Sequence, residues 1–178
     1  MHPDVSEILY TEEQLSEAVK KLGAKISEDY RGKNLCMVAV LKGSLVFMAD
    51  LMRAITIPCS IDFLAVSSYG NSTKSSGEVR LVKDLDGPLA NKDLLIVEDI
   101  LDSGVTLSYL KKALSARNPR SIRICTLLDK PHRRKTDITA DYYGFITPDA
   151  FIVGYGLDYA ERYRNLPYIG VLKPSIYE

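Results

Sequence analysis

Apolar residues arrive along this chain in two alternating rhythms. Residues 35–41 (LCMVAVL) form a continuous apolar run of strand length, and residues 94–97 (LLIV) a shorter one. Runs of this kind read as strands buried on both faces. Elsewhere apolar positions fall at helical spacing. Leu15, Ala18, Val19, Leu22 and Ile26 make one stripe behind Thr11-Glu-Glu-Gln14, which has the form of a capping box, and Gly32 ends that helix. Residues 45–54 read as a second helix. Leu107, Leu110, Ala113 and Leu114 mark a third, starting beyond Thr106 and closed by Asn118-Pro119.

Residues 60–69 are strand-like, with alternation around Ile61, Phe63 and Ala65, and Val79, Leu81 and Val82 suggest an antiparallel return. Residues 121–128, 142–145, 150–153 and 168–172 supply further strands. The stretch GNSTKSSG at 70–77 holds nothing to bury and reads as a long mobile loop, while residues 1–10 and 174–178 carry no readable element. Strands alternating with amphipathic helices predict an α/β fold around a largely parallel sheet, and 178 residues suit one domain. Ligands of such sheets bind outside the carboxyl ends of the strands. Lys42-Gly43, the segment from Glu98 to Thr106, and Asp129-Lys130 are therefore expected at one cleft.

Charge narrows the picture. Lys plus Arg equals Asp plus Glu at 23 each, so no global field favours nucleic acid or an anionic membrane. The basic turn at 130–135 accordingly reads as solvated over Arg133 to Lys135. No apolar run approaches the roughly 20 residues of a membrane span, and the first residues lack a secretory pattern. Cys36, Cys59 and Cys125 fit neither a zinc spacing nor a disulfide framework, and read as core thiols of a cytoplasmic protein. The two histidines lie at a disordered-looking start (His2) and in the basic turn (His132), which leaves acid–base work to carboxylates.

The chemistry concentrates at 98–106. Asp102-Ser-Gly-Val-Thr106 offers backbone N–H groups, hydroxyls and a helix amino end, an anion site suited to a phosphate monoester. Helix capping would account for one acid there. It does not account for Glu98, Asp99 and Asp102 within five positions. Something must offset them, and a ribose diol, a magnesium ion, or both are the natural candidates. The chain has no GxxxxGK[ST] loop, and Gly154-Tyr155-Gly156 lacks the third glycine of a dinucleotide fingerprint.

Residues 97–106 (VEDILDSGVT) closely resemble the phosphoribosyl-pyrophosphate signature of the purine phosphoribosyltransferases, and more narrowly of the bacterial-type hypoxanthine-guanine enzymes. The likeness spans nearly the whole chain. Leu41-Lys-Gly-Ser44 is similar to the family's pyrophosphate loop, and Ser68-Tyr69 to the pair in its mobile catalytic loop. Leu128-Asp-Lys130, the segment 148–158 and Tyr163-Arg164 match its purine and pyrophosphate segments in order.

The resemblance implies the family's fold, with a small hood contributed by the C-terminal part, and transfer of a phosphoribosyl group to hypoxanthine or guanine. It implies that Glu98 and Asp99 face ribose hydroxyls and Mg2+, and that Asp102 accepts a proton near purine N7. Ser103, Gly104, Val105 and Thr106 would grip the 5′-phosphate. Val105 stands where some relatives have lysine, which leaves a backbone N–H without that cation. Lys42 and Gly43, behind a non-proline cis peptide, and Arg164 would receive pyrophosphate. Lys130 would donate to the 6-oxo group and Phe151 stack on the ring. Ile152 would offer main-chain contacts, and Asp158 would sit near the 2-position or bind a second ion. Lys42, Lys130 and Arg164 can supply positive partners for the three acids, and magnesium the remainder. A homodimer or homotetramer is implied as well. A xanthine-preferring relative and a non-catalytic phosphoribosyl-pyrophosphate-binding regulator stay open on these residues.

Overall fold

The computed structural model describes residues 1–68 and 79–178. In chain order the elements are β1 (Val5–Tyr10), α1 (Glu12–Asp29), β2 (Leu35–Leu41), α2 (Leu45–Ala54), β3 (Cys59–Ser68), β4 (Val79–Lys83), β5 (Asp93–Leu101), α3 (Val105–Ser115), β6 (Ser121–Asp129), β7 (Tyr142–Ile146), β8 (Ile152–Val153), β9 (Ile169–Leu172) and α4 (Pro174–Tyr177). A six-stranded sheet runs β4-β3-β2-β5-β6-β7, and a three-stranded one runs β1-β9-β8. Strands β3, β2, β5, β6 and β7 are mutually parallel, and β4 alone returns antiparallel on β3.

The apolar runs have a direct structural cause. Successive side chains on a strand point to opposite faces, and both faces of the large sheet are covered. Strand β2 sends Leu35, Met37 and Ala39 into a core with Leu15, Val19, Phe47 and Leu51 of α1 and α2. It sends Cys36, Val38 and Val40 into a second core with Leu107, Leu110 and Leu114 of α3. Strand β5 divides Leu95 and Val97 from Leu94 and Ile96 in the same way. Helix α1 starts at the capping box: the Gln14 N–H donates to Thr11 Oγ1 at 3.3 Å, and the Thr11 N–H to Gln14 Oε1 at 2.9 Å.

Several expectations need correction. Strand β5 continues past Val97 to Leu101, so Glu98 and Asp99 lie inside the strand. Pairing with β6 as far as Leu101–Asp129 holds it extended there. Helix α3 begins at Val105, because Gly104 (φ 81°) takes the left-handed conformation that turns the chain into it. On β3 the buried positions are Asp62 and Leu64, while Ile61 is exposed. The two stretches with no readable element are ordered: β1 pairs antiparallel with β9, and residues 174–177 form α4. His2 is ordered too, its backbone N–H donating to the Tyr168 hydroxyl at 2.7 Å.

Candidate active site

Because β2, β5 and β6 are parallel and in register, Lys42, Glu98 to Gly104 and Lys130 all emerge at one edge of the sheet. The Leu41–Lys42 peptide is cis. Gly43 has a steric reason to be glycine: a Cβ there would lie 1.9 Å from Asp99 Oδ2. The backbone after β2 and the Asp99 carboxylate are thus in direct apposition.

Glu98 is buried and Asp99 beside it partly buried. The Asp99 N–H donates to Glu98 Oε1 at 3.1 Å, and the Ile100 N–H to Asp99 Oδ1 at 2.7 Å. Burial pushes the Glu98 carboxyl well above its ordinary value, and the charge of Asp99 adds to the shift. Burial raises Asp99 as well, partly opposed by the hydrogen bond to Glu98 and more weakly by Arg164. Among the described residues no cluster of three or more His, Cys, Asp or Glu side chains forms a protein-only metal site. A magnesium ion usually takes one or two carboxylates and fills its octahedron with water and substrate phosphate oxygens. This pair fits that donor set, since a cation would relieve the repulsion and desolvation that raise both pKa values.

Asp102 is different. It is only half-buried, and its Oδ1 lies 3.2 Å from Arg133 Nε, an ion pair without an aligned hydrogen bond. Behind it Ser103 Oγ accepts from the Val105 N–H at 3.4 Å. The first turn of α3, Val105 and Thr106 included, presents amide groups that lack intrahelical acceptors. The loop is fixed from behind by two backbone hydrogen bonds, Lys130 N–H to Leu101 O at 2.9 Å and Lys135 N–H to Ser103 O at 2.8 Å. The basic turn is therefore not simply solvated. Arg133 spans Asp102 and Asp149, with Nη1 3.0 Å from Asp149 Oδ1, and Arg134 pairs with Asp129.

Lys130 is buried, with Nζ donating to the Ala150 carbonyl at 2.7 Å. Burial lowers its pKa, and the charges of Asp102 and Asp149 oppose that shift. Phe151 keeps 40% of its surface exposed. One face of its ring stacks on Tyr177 of α4 at 4.6 Å, and its neighbour Tyr159 meets it edge-on at 5.5 Å. The Ile152 side chain is in the core, and its backbone pairs with Val171.

A second group of charges closes the cleft. Arg164 donates to the Gly156 carbonyl at 2.8 Å and lies 3.0 Å from Asp158 Oδ1. Glu161 lies between the two cations, 3.2 Å from Lys42 Nζ and 3.4 Å from Arg164 Nη2. The three cations read as positive partners for Glu98, Asp99 and Asp102 are thus paired elsewhere, with only weaker through-space effects of Arg164 on Asp99 and of Asp102 on Lys130. Arg133, read as solvated in the sequence, joins these groups, as do Asp149, Glu161 and Tyr177, which were not singled out there. Ser68 ends β3; Tyr69 and the rest of the loop to Gly77 lie outside the described residues. A cavity of about 510 Å³ between α1, α2 and residues 164–167 shares only Arg164 with these groups. No helix among the described residues is long and apolar enough to cross a membrane.

Comparison with known proteins agrees with this geometry. Residues 5–160 match the phosphoribosyl transferase domain. The chain is 57% identical over 178 residues to the hypoxanthine-guanine phosphoribosyltransferase of Bacillus subtilis, covering all of this chain and 99% of that one. It is 54% identical over 177 residues to the enzyme of the same name from Staphylococcus aureus, covering 99% of each. A crystal structure of a hypoxanthine phosphoribosyltransferase from S. aureus superposes with a TM-score of 0.96 at 54% identity, covering 100% of this chain and 97% of that one. With its site at the carboxyl edge of the parallel sheet and likeness over its full length, the chain belongs to the phosphoribosyltransferase family, in its hypoxanthine-guanine branch.

Proposed function

We propose that the chain is a purine-salvage enzyme. It transfers the 5-phosphoribosyl group of phosphoribosyl pyrophosphate to N9 of hypoxanthine or guanine, giving IMP or GMP and pyrophosphate. The observation that carries this reading is a juxtaposition at one sheet edge. An acid pair with no ionic partner among the described residues, the amino end of α3, and the half-buried Asp102 stand beside a buried lysine.

Purine N9 displaces pyrophosphate from C1 of the ribose: the N9–C1 bond forms as the C1–O bond breaks, and its electron pair leaves with pyrophosphate. Asp102 accepts the proton from N7. Glu98 and Asp99 hold the ribose hydroxyls, and their negative charge stabilises the cationic character that grows on the ribosyl carbon. Ser103, Gly104, Val105 and Thr106 hold the 5′-phosphate with the amide groups and hydroxyls of the helix start. Lys42, Gly43 and Arg164 take the departing pyrophosphate. Glu98 and Asp99 would hold a magnesium ion, which would supply neutralisation of the leaving group. Asp158 suits a second ion less well, since both its oxygens are already engaged, by Arg164 and by the Glu161 N–H.

Lys130 selects the base. Its ammonium donates one hydrogen to Ala150 O and has two more for a 6-oxo group. The 6-amino group of adenine is itself a donor and meets this cation unfavourably. Phe151 offers the ring face that Tyr177 does not cover, and the Ile152 backbone contacts the base edge. The same reading carries a cytoplasmic location and assembly as a homodimer or homotetramer.

The test is an assay with magnesium, phosphoribosyl pyrophosphate and each base in turn. Hypoxanthine or guanine should give nucleotide and pyrophosphate in equal amounts, and adenine should give neither. Absence of product from every oxopurine would contradict the reading. Turnover of xanthine far above the other two would overturn the substrate assignment alone.

A further inference from the structure

Glu161 is not among the groups the reaction requires, yet its carboxylate lies between two that the reading above assigns to pyrophosphate. Its Oε2 lies 3.2 Å from Lys42 Nζ and its Oε1 3.4 Å from Arg164 Nη2. Lys42 and Glu161 are 119 positions apart in sequence and both about two-thirds exposed, so nothing about packing forces them together.

The backbone that delivers Glu161 is unusual. Tyr159 and Arg162 exchange backbone hydrogen bonds at 3.2 and 3.0 Å, closing a two-residue turn over Ala160 and Glu161. Both central residues have positive φ, 51° and 62°. Glycine, asparagine and aspartate are the residues such turns favour, and a glutamate there carries a conformational cost. The Glu161 N–H donates to Asp158 Oδ2 at 2.9 Å, which fixes the turn against the carboxylate that Arg164 also contacts. A strained turn that carries an acid to two cations is a reason to look for a role. Hydrogen bonding from Lys42 holds the Glu161 carboxyl below its usual range, so it is ionised at neutral pH.

We infer that Glu161 is a resident stand-in for the leaving pyrophosphate: it gathers Lys42 and Arg164 between turnovers and competes with pyrophosphate for them after transfer. The inference rests on the assignment of Lys42 and Arg164 to pyrophosphate. Glu161 is thereby a positioning residue. It keeps two long, flexible cations close to their working positions, and it displaces product by taking its partners back. Because the two pairs are exposed and screened, the competitor is weak enough for substrate to displace.

The experiment is calorimetric binding of magnesium pyrophosphate to the full chain and to Glu161→Gln, Lys42→Ala and Arg164→Gln. Product inhibition by pyrophosphate is measured alongside. Glutamine preserves the size of the side chain and removes its charge. Glu161→Gln should bind pyrophosphate roughly three- to tenfold more tightly, the scale of two exposed ion pairs, with the inhibition constant falling in parallel and the KM for the base unchanged. A tighter complex cannot come from a damaged fold. Unchanged or weaker binding in Glu161→Gln, while Lys42→Ala and Arg164→Gln bind pyrophosphate poorly, would overturn the inference and leave the assignment of the cations intact. Unchanged binding in Lys42→Ala and Arg164→Gln would overturn that assignment and the inference with it.

Discussion

Glu98 is buried and Asp99 partly so, and among the described residues neither has an ion-pair partner; desolvation raises the pKa of both. Close by, Lys42, Asp158, Glu161 and Arg164 neutralise one another almost completely. The two groups differ in what is meant to meet them. On the proposed reading, the acids left uncompensated are those that would meet a ligand bringing a cation and hydroxyl donors, at a cost in stability. The cations proposed to meet an anion are instead paired with a carboxylate of the protein's own, Glu161. Asp102 belongs to neither group, being half-buried beside an exposed arginine.

The largest expected effect separates Asp102 from both groups. Asp102→Asn should lower turnover by about 10²-fold or more, the usual range for loss of a general base. Binding of phosphoribosyl pyrophosphate, measured by equilibrium titration, should stay near the wild-type value. Weak binding together with slow turnover would put Asp102 in the same class as Glu98 and Asp99.

Next comes the buried cation. Lys130→Met removes a charged hydrogen-bond donor, and such bonds are worth about 1.5–3 kcal/mol. The KM for hypoxanthine should rise roughly 10- to 100-fold, and the preference over adenine should narrow, read from initial rates with each base. An unchanged preference would mean that selectivity comes from elsewhere in the pocket.

The acid pair gives a pH signature. The folded-state pKa of Glu98 is raised above its ordinary 4.5, so the fold favours the protonated form. The stability this group contributes is fully present below pH 4.5 and is lost as pH rises through the raised value. Glu98→Gln should therefore melt above wild type at pH 7, by roughly 2–4 °C per kcal/mol recovered. The gap should close toward pH 4. A gap that is constant with pH would point to packing rather than charge.

The smallest effect is expected at Arg133. Its contacts with Asp102 and Asp149 are exposed, and such pairs contribute about 0–1 kcal/mol. Arg133→Gln should shift the thermal midpoint by no more than about 2–4 °C. A collapse of stability in this variant would show that the Asp102 pair behaves as a buried one.

What was legible in the sequence followed from how local its cause was. The bounds of β2 and α2 could be read to the residue, because an unbroken apolar run and a helical stripe need no distant partner to be recognised. The same holds for the acids and the loop of α3, which lie within nine positions. Strand β1 escaped because only Val5 is buried along it and its partner β9 lies some 160 residues on. The buried face of β3 was misread because Asp62, not an apolar residue, fills one of its inward positions; its carboxylate accepts from the Asp86 N–H. The direct ion pairs of Lys42 and Arg164 were not legible for a related reason. Which cation meets which acid depends on side-chain reach across the cleft, and Glu161 reaches Lys42 through a turn that its own residues do not favour.

The account stands most directly on the double variant Glu98→Gln/Asp99→Asn, which keeps both side-chain shapes and their backbone acceptors. Its thermal midpoint should be compared with wild type at pH 7, with and without phosphoribosyl pyrophosphate plus magnesium. The unliganded variant should melt higher than wild type, and the ligands should protect wild type while leaving the variant almost unmoved. A variant that melts lower and is still protected would contradict the claim that this acid pair is held in reserve for the ribosyl substrate and its ion.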